Sequence, residues 1–318
     1  MSADMSANPT TLSGAVARAD SVEISSGHAV RRLLRDWFGF YLPAAIIALV
    51  MLFPFFWMLS IALRPEPEIY AYPPRMLPQE FMWDNFLRIW SDPRMKMGLL
   101  FWNTLVYATL RTFLQLLLSS MAAFVLARYR FPGRDTIFFV ILATVMIPHE
   151  VLVIPLFVIM KHMPLAGGND WLGLGGIGWL DSFKGLILPG VVSGYSIFFL
   201  RQFFLTLPSE LEDAARIDGS SEFGIYWRIT LPMAIPALTT LGVFSFQFAW
   251  SDFMWPLIIT NSDRVKTIQL GLAVLQSSEG TEWSLLMTGA VIATLPLIAL
   301  FVLLQRFIAT GISFGVGR

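Results

Sequence analysis

Three ionisable side chains, Arg111, Glu150 and Asp252, stand inside long stretches that are otherwise almost free of charge. A charge in apolar surroundings is costly, so such a residue marks a solute contact, an internal ion pair or a proton relay. Arg111 paired with either carboxylate would be a strut. The two carboxylates free of it would suit an ion-coupled path. Trp250 and Trp255 flank Asp252 and offer aromatic faces of the kind that stack on the C–H surface of a sugar, although core packing is the commoner use of such rings. His149-Glu150 begins like the zinc motif HExxH, but Val153 stands where its second histidine would be, so no metal pair forms. His28 and His162 fall outside any cluster. There is no GxxxxGK[ST] loop to cradle phosphates, no GxSxG elbow and no cysteine. The sequence therefore predicts a non-enzymatic chain with no catalytic residue, no metal and no cofactor of its own.

The elements that must carry these residues follow from composition. Of 318 residues, 56% are hydrophobic and 14% charged, with a mean hydropathy of +0.65. Soluble domains carry about 25% charged residues, and a chain this apolar needs lipid around it. The 22 basic and 22 acidic residues cancel, which gives no field for nucleic acid. A bilayer core takes roughly 20 apolar residues per helix, and six such stretches are present: 37–63, 97–127 with Arg111 inside, 136–160 with His149 and Glu150, 185–204 with Arg201 near its end, 229–260 with Asp252, and 283–305. The expectation is an all-α integral membrane protein of six transmembrane helices. Residues 1–36 are expected to be a mobile cytoplasmic tail, 37–63 a retained first anchor, 64–96 an external loop, 97–306 the main membrane domain and 307–318 a cytoplasmic tail. Lys and Arg favour the side holding both termini by twelve to nine, with Arg128, Arg130 and Arg134 packed into one short loop, which places both ends in the cytoplasm. On this topology Arg111, Glu150 and Asp252 lie about 12–15 Å from the outer ends of their spans, in the half where a polar cavity would receive solute. Pro148 and Pro155 in the third span, and Pro232 and Pro236 opening the fifth, break helices and could hinge them.

One cytoplasmic connection, 207–232, contains PSELEDAARIDGSSEFGIYWRITLP and carries several local signals at once. Ser209 with Glu212 reads as a capping box for a helix starting near Glu210. Leu211, Ala214 and Ala215 at i, i+3 and i+4 give it a low-relief apolar face. Gly219 is expected to end it, and Ser220 or Ser221 to cap the helix that follows. The element reads as a docking helix.

Asp213-Ala214-Ala215, Asp218-Gly219, Leu231-Pro232 and Pro236 closely resemble the EAA loop of ABC importer permeases, with Asp213 in place of the usual Glu. The resemblance runs from Asn103 to the C-terminus and narrows to the carbohydrate, maltose-permease-type branch. It is carried by Asn103-Thr104-Leu105, Leu126 to Gly133, Met146-Ile147-Pro148, Phe199 to Phe204, Trp250-Ser251-Asp252-Phe253, where Ser251 replaces the usual Asn, and the closing Gln305-Arg306-Phe307, Gly311 and Gly315. The 164–181 stretch is longer and richer in Gly and Trp than this family's outer loop. The resemblance implies a type-I importer permease fold in a bacterial inner membrane, with Glu210, Leu211, Asp213, Ala214, Ala215, Asp218 and Gly219 forming the coupling helix. It further implies a second homologous permease, an ATPase homodimer holding ATP and Mg, an external solute-binding protein and a carbohydrate substrate. Arg111, Glu150, Trp250, Asp252 and Trp255, by their depth and residue types, are the candidates for the substrate path. The alternative is an ion-coupled secondary transporter driven through Glu150 and Asp252.

Overall fold

The computed structural model describes residues 37–277 and 280–313; the expected tail 1–36 and residues 314–318, Gly315 among them, lie outside these. The chain divides at residue 60 into two units. The described part of the first belongs to α1 (Trp37–Ala62), a helix of 26 residues. It opens with a π-helical turn, Trp37–Tyr41, and carries Pro54 in its body. Exposed Ile46, Ile47, Leu49, Met51 and Leu52 leave its surface apolar on every side, as suits a helix solvated by lipid.

The second unit contains the short α2 (Glu66–Ile69) and α3 (Asp84–Ser91), then α4 (Met97–Arg128), a 32-residue helix at the centre of its packing. At 1.5 Å per residue it is about 48 Å long, more than the hydrocarbon core requires. Three apolar layers are threaded on it: Met97 and Leu100 with Ile89 and Leu285, Tyr107 and Ala108 with Trp250 and Ile259, and Ala123, Phe124, Leu126 and Ala127 with Phe204 and Tyr226. Small residues at the contacts, such as Ala108, Ala123 and Ala237, let the backbones approach, which is how helices hold together when lipid is as apolar as leucine.

The expected third, fourth and fifth spans are helix pairs rather than straight rods. α5 (Arg134–Val145) and α6 (His149–Lys161) meet at 102°, α7 (Phe183–Gly190) and α8 (Gly194–Thr206) at 45°, and α10 (Glu222–Met233) and α11 (Ile235–Trp250) at 75°. The physical reason is readable at each break. Pro148 has no N–H and takes an extended ψ of 134°. Ser193 accepts from the Ser196 amide and starts a new helix. Ala234 and Pro236 interrupt the ladder before α11. The fifth segment also ends at Trp250, ten residues short of the expected Thr260, and restarts as α12 (Met254–Ile259). The helices supply three to six membrane crossings, according to whether each bent pair counts as one. α9 (Glu210–Ile217) precedes α10; α13 (Ile268–Val274), a two-residue antiparallel pair β1 (Gln276–Ser277) and β2 (Gly280–Thr281), and α14 (Trp283–Ser313) complete the chain.

The Gly-rich stretch between α6 and α7 is tightly wound. The buried Asn169 donates to the carbonyls of Lys161 and Met163 at 2.8 and 3.0 Å and accepts from the Gly176 amide at 2.7 Å. Asp181 accepts from the amides of Asn261 and Ser262. Those bonds hold its carboxyl below the usual carboxylate range against the opposing effect of burial. Leu165, Trp171, Leu172 and Leu174 remain exposed on the loop's outside.

Candidate functional site

Two places gather the residues singled out by the sequence. The first lies along the middle of α4. Arg111 stands fourteen residues into that helix, about 21 Å from its start and deeper than the expected 12–15 Å, because the helix runs on to Met97. Its Nη1 donates to the Tyr107 hydroxyl at 2.6 Å and reaches Asp252 Oδ2 at 3.3 Å, and the Tyr107 hydroxyl donates to the same oxygen at 2.8 Å. Asp252 sits in the gap between α11 and α12, and its other oxygen accepts from the Trp255 amide at 3.3 Å. The pair's side chains are each 9% exposed. The guanidinium lies close against Gly190: a Cβ there would stand 2.5 Å from its Cζ and 2.7 Å from Nη2. Phe248 covers it at 5.2 Å from the ring centroid. Of the three sequence readings for Arg111 and Asp252, the geometry supports the strut.

Around this pair open two adjoining clefts of about 390 and 540 Å³. They share His149, Phe244 and Phe248, and their walls include Arg111, Gln115, Ser193, Tyr195, Ser245, Glu150 and Asp252. Gln115 is fixed by its donations to the Ser196 and Ser245 hydroxyls at 2.7 and 3.1 Å. Glu150 is exposed, in the first turn of α6. Trp250 and Trp255 are elsewhere in character. Both are buried, and their indole N–H groups already donate to Ala293 O at 2.9 Å and to the Gly185 and Leu186 carbonyls. Trp250 also stacks on Phe246. They are core residues whose faces are spent on protein. Tyr107, Gln115 and Gly190 were not singled out by the sequence reading. The first two follow Arg111 at i−4 and i+4 and form one polar stripe, a signal that spacing alone contains.

The second place is α9. It starts at Glu210 and ends before Gly219, whose φ is +81°, and Ser221 caps α10 by accepting from Gly224 N at 3.2 Å. The capping box does not form. Ser209 has helical φ and ψ and makes no side-chain cap bond. Glu212 instead turns inward to Arg128 Nε at 2.8 Å and the Thr230 hydroxyl at 3.1 Å, because a buried cation outcompetes an exposed amide for its carboxylate. The faces are also rotated from expectation. Glu212 and Ala215 are the buried side, while Glu210, Leu211, Asp213, Ala214, Ile217 and Asp218 are exposed. Leu211 and Ala214 thus stand free as expected, joined by Ile217 at 87% exposure, and Ala215 lies beneath. Arg216 bonds Glu222 and Asp213, which raise its pKa further.

Other quoted strings have structural duties. Asn103 donates to the carbonyls of Asp263 and Lys266, and Thr104 accepts from the Ile268 amide. Arg201 donates to Leu126 O and lies 4.0 Å from the Phe138 ring centre.

A helical bundle with broken helices around a polar cleft, and a short helix presented at one end of its longest rod, has the build of a transport permease. Residues 115–314 match the family described as the inner membrane component of binding-protein-dependent transport systems, and the chain belongs to that family. It is 34% identical over 272 residues to the arabinooligosaccharides transport system permease protein AraQ of Bacillus subtilis, spanning 85% of this chain and 92% of that one. It is 30% identical over 270 residues to the sn-glycerol-3-phosphate transport system permease protein UgpE of Yersinia enterocolitica, spanning 83% and 91%. Its fold is shared, at a TM-score of 0.72 and 20% identity over 86% of this chain and 97% of the other, with a chain of a bacterial ABC transporter involved in the import of the acidic polysaccharide alginate.

Proposed function

We propose that this chain is the permease subunit of an ATP-driven importer in the bacterial cytoplasmic membrane, and that it lines the path of an uncharged carbohydrate. Each bent pair then counts as one crossing, giving six with both termini cytoplasmic. A second homologous permease completes the path, two ATPase subunits holding ATP and Mg receive α9, and an external binding protein delivers the solute. The observation that carries this reading is the exposed face of α9: Leu211, Ala214 and Ile217 unpartnered on a helix that is otherwise rooted by charge.

The cleft supports the solute class. The cation on its walls, Arg111, is matched by Asp252, and Glu150 adds an uncompensated carboxylate. An anion entering would meet net negative charge, whereas hydroxyls find Gln115, Ser193 and Ser251, and a sugar face finds the half-exposed Phe244 and Phe248. By the same geometry Asp252, with both oxygens engaged, is poorly placed to carry ions, which leaves an ion-coupled path with Glu150 alone.

The test is to tag the chain in its native membrane and identify by mass spectrometry what co-purifies stoichiometrically. A P-loop ATPase and a second permease are expected; a chain that purifies alone or as a homo-oligomer overturns the reading. In proteoliposomes of the assembled complex, ATP-driven uptake is expected of neutral arabino-oligosaccharides and not of glycerol 3-phosphate. Uptake of the phosphate ester instead would overturn the solute class.

A further inference from the structure

We infer that the buried ion pair of Glu212 with Arg128 is the positioning element through which movement of α9 reaches α4 and the cleft, an inference that rests on the importer reading above. Glu212 and Arg128 have side chains 4% and 10% exposed, in contact at 2.8 Å. Arg128 closes the last turn of α4, and its Nη2 also donates to the Leu207 carbonyl at 3.1 Å, just before α9. The Glu212 oxygen that accepts from Arg128 also accepts from Thr230, in α10. One carboxylate therefore joins three helices.

The other charged anchor of α9, Arg216 on Glu222, is open to water with side chains 35% and 46% exposed, where an ion pair holds weakly, and the buried side of the helix offers little more. Its buried residues are Glu212 and Ala215, and a single methyl group resists sliding weakly. A charge-assisted bond is short, directional and expensive to break when water is excluded, so a push on the exposed face is delivered to the end of α4 rather than lost in rocking. The same helix bears Arg111 seventeen residues earlier, about 26 Å away along the rod. A rigid helix carries a displacement over that length without needing a chain of side-chain rearrangements.

The experiment uses the full complex in nanodiscs with its ATPase and binding protein. Glu212→Gln keeps the side chain's shape and removes its charge. It is expected to assemble, to hydrolyse ATP without binding protein within about twofold of the native complex, and to lose about fivefold or more of the stimulation by binding protein, at the low end of measured coupling factors. Solute moved per ATP falls alongside. Thr230→Val removes the hydroxyl's bond to the carboxylate and leaves the ion pair, so it keeps the stimulation. If Glu212→Gln fails to assemble, Glu212→Asp, which keeps the charge on an arm one carbon too short, is read instead: it is expected to lose stimulation, and native stimulation in it overturns the inference. Stimulation retained in Glu212→Gln overturns the inference. So does its loss in Thr230→Val to the same extent, because a merely structural role predicts that both fall together. A native chain that captures no ATPase overturns the importer reading, and the pair's role with it.

Discussion

Replacing Asp252 by Asn would strand a guanidinium between Gly190, Tyr107 and Phe248. At 3.3 Å, two unit charges attract by about 5 kcal/mol at an effective dielectric near 20. Removing one partner of a buried pair costs roughly 3–5 kcal/mol, since the other charge stays desolvated. Asp252→Asn and Arg111→Gln are each expected to destabilise the chain by about that amount, read from unfolding titrations in bicelles. The double variant leaves no unpaired charge, so its loss falls short of the sum of the single losses by about 2 kcal/mol or more. The Tyr107 hydroxyl softens the single losses, because it can still bond either remaining group. Losses that add to within about 0.5 kcal/mol would refute the strut and return Arg111 and Asp252 to the list of independent solute contacts.

Gly190→Ala, which pushes a methyl group into the Arg111 guanidinium, is expected to cost about 1–3 kcal/mol as overpacking does; an unchanged unfolding midpoint would mean that this contact is not held in the membrane. Leu211→Arg, on the free face of α9, should leave the isolated chain as stable as native and abolish ATPase co-purification. Ala215→Arg, beneath the helix, should lower the stability of the isolated chain as well, and equal behaviour of the two would contradict the faces described. Ser221→Ala is expected to cost about 1 kcal/mol, the usual worth of an N-cap, visible as faster amide exchange at the start of α10. Asn169→Ala removes three bonds from the loop after α6 and should speed proteolytic cleavage between residues 164 and 181; an unchanged cleavage rate would show the loop to be held by its other contacts.

The approximate positions of the apolar segments were legible because lipid demands long uncharged runs. So was the α9 helix, because Gly219 and Ser221 are local signals with local consequences. What the sequence concealed was three-dimensional. Glu212 obeys the capping pattern perfectly, yet its carboxylate goes to Arg128, 84 residues away, and no window of nearby residues contains that competition. The rotation of the α9 face by about one position follows from the same bond, which fixes Glu212 inward. Likewise the prolines announced breaks, but the angles of 102° and 75° depend on what α5 and α11 pack against. The Arg111–Asp252 pair was among the sequence alternatives. Geometry was needed to choose it over the others, since three charges in three segments allow several pairings.

The loop between α6 and α7 is less free in its backbone than a surface loop usually is. At Gly176 a Cβ would stand 2.5 Å from the Gly168 carbonyl carbon and 2.7 Å from the Asn169 nitrogen, so the loop's interior is backbone laid on backbone with no room for letters to change. Its outward positions, Leu165, Trp171, Leu172 and Leu174, bear little of that packing. Descendants of this chain can therefore rewrite the loop's outer chemistry wholesale while inheriting its shape unchanged, and an engineer grafting a new epitope onto the protein would find there a frame already set, with the glycines as its fixed joints.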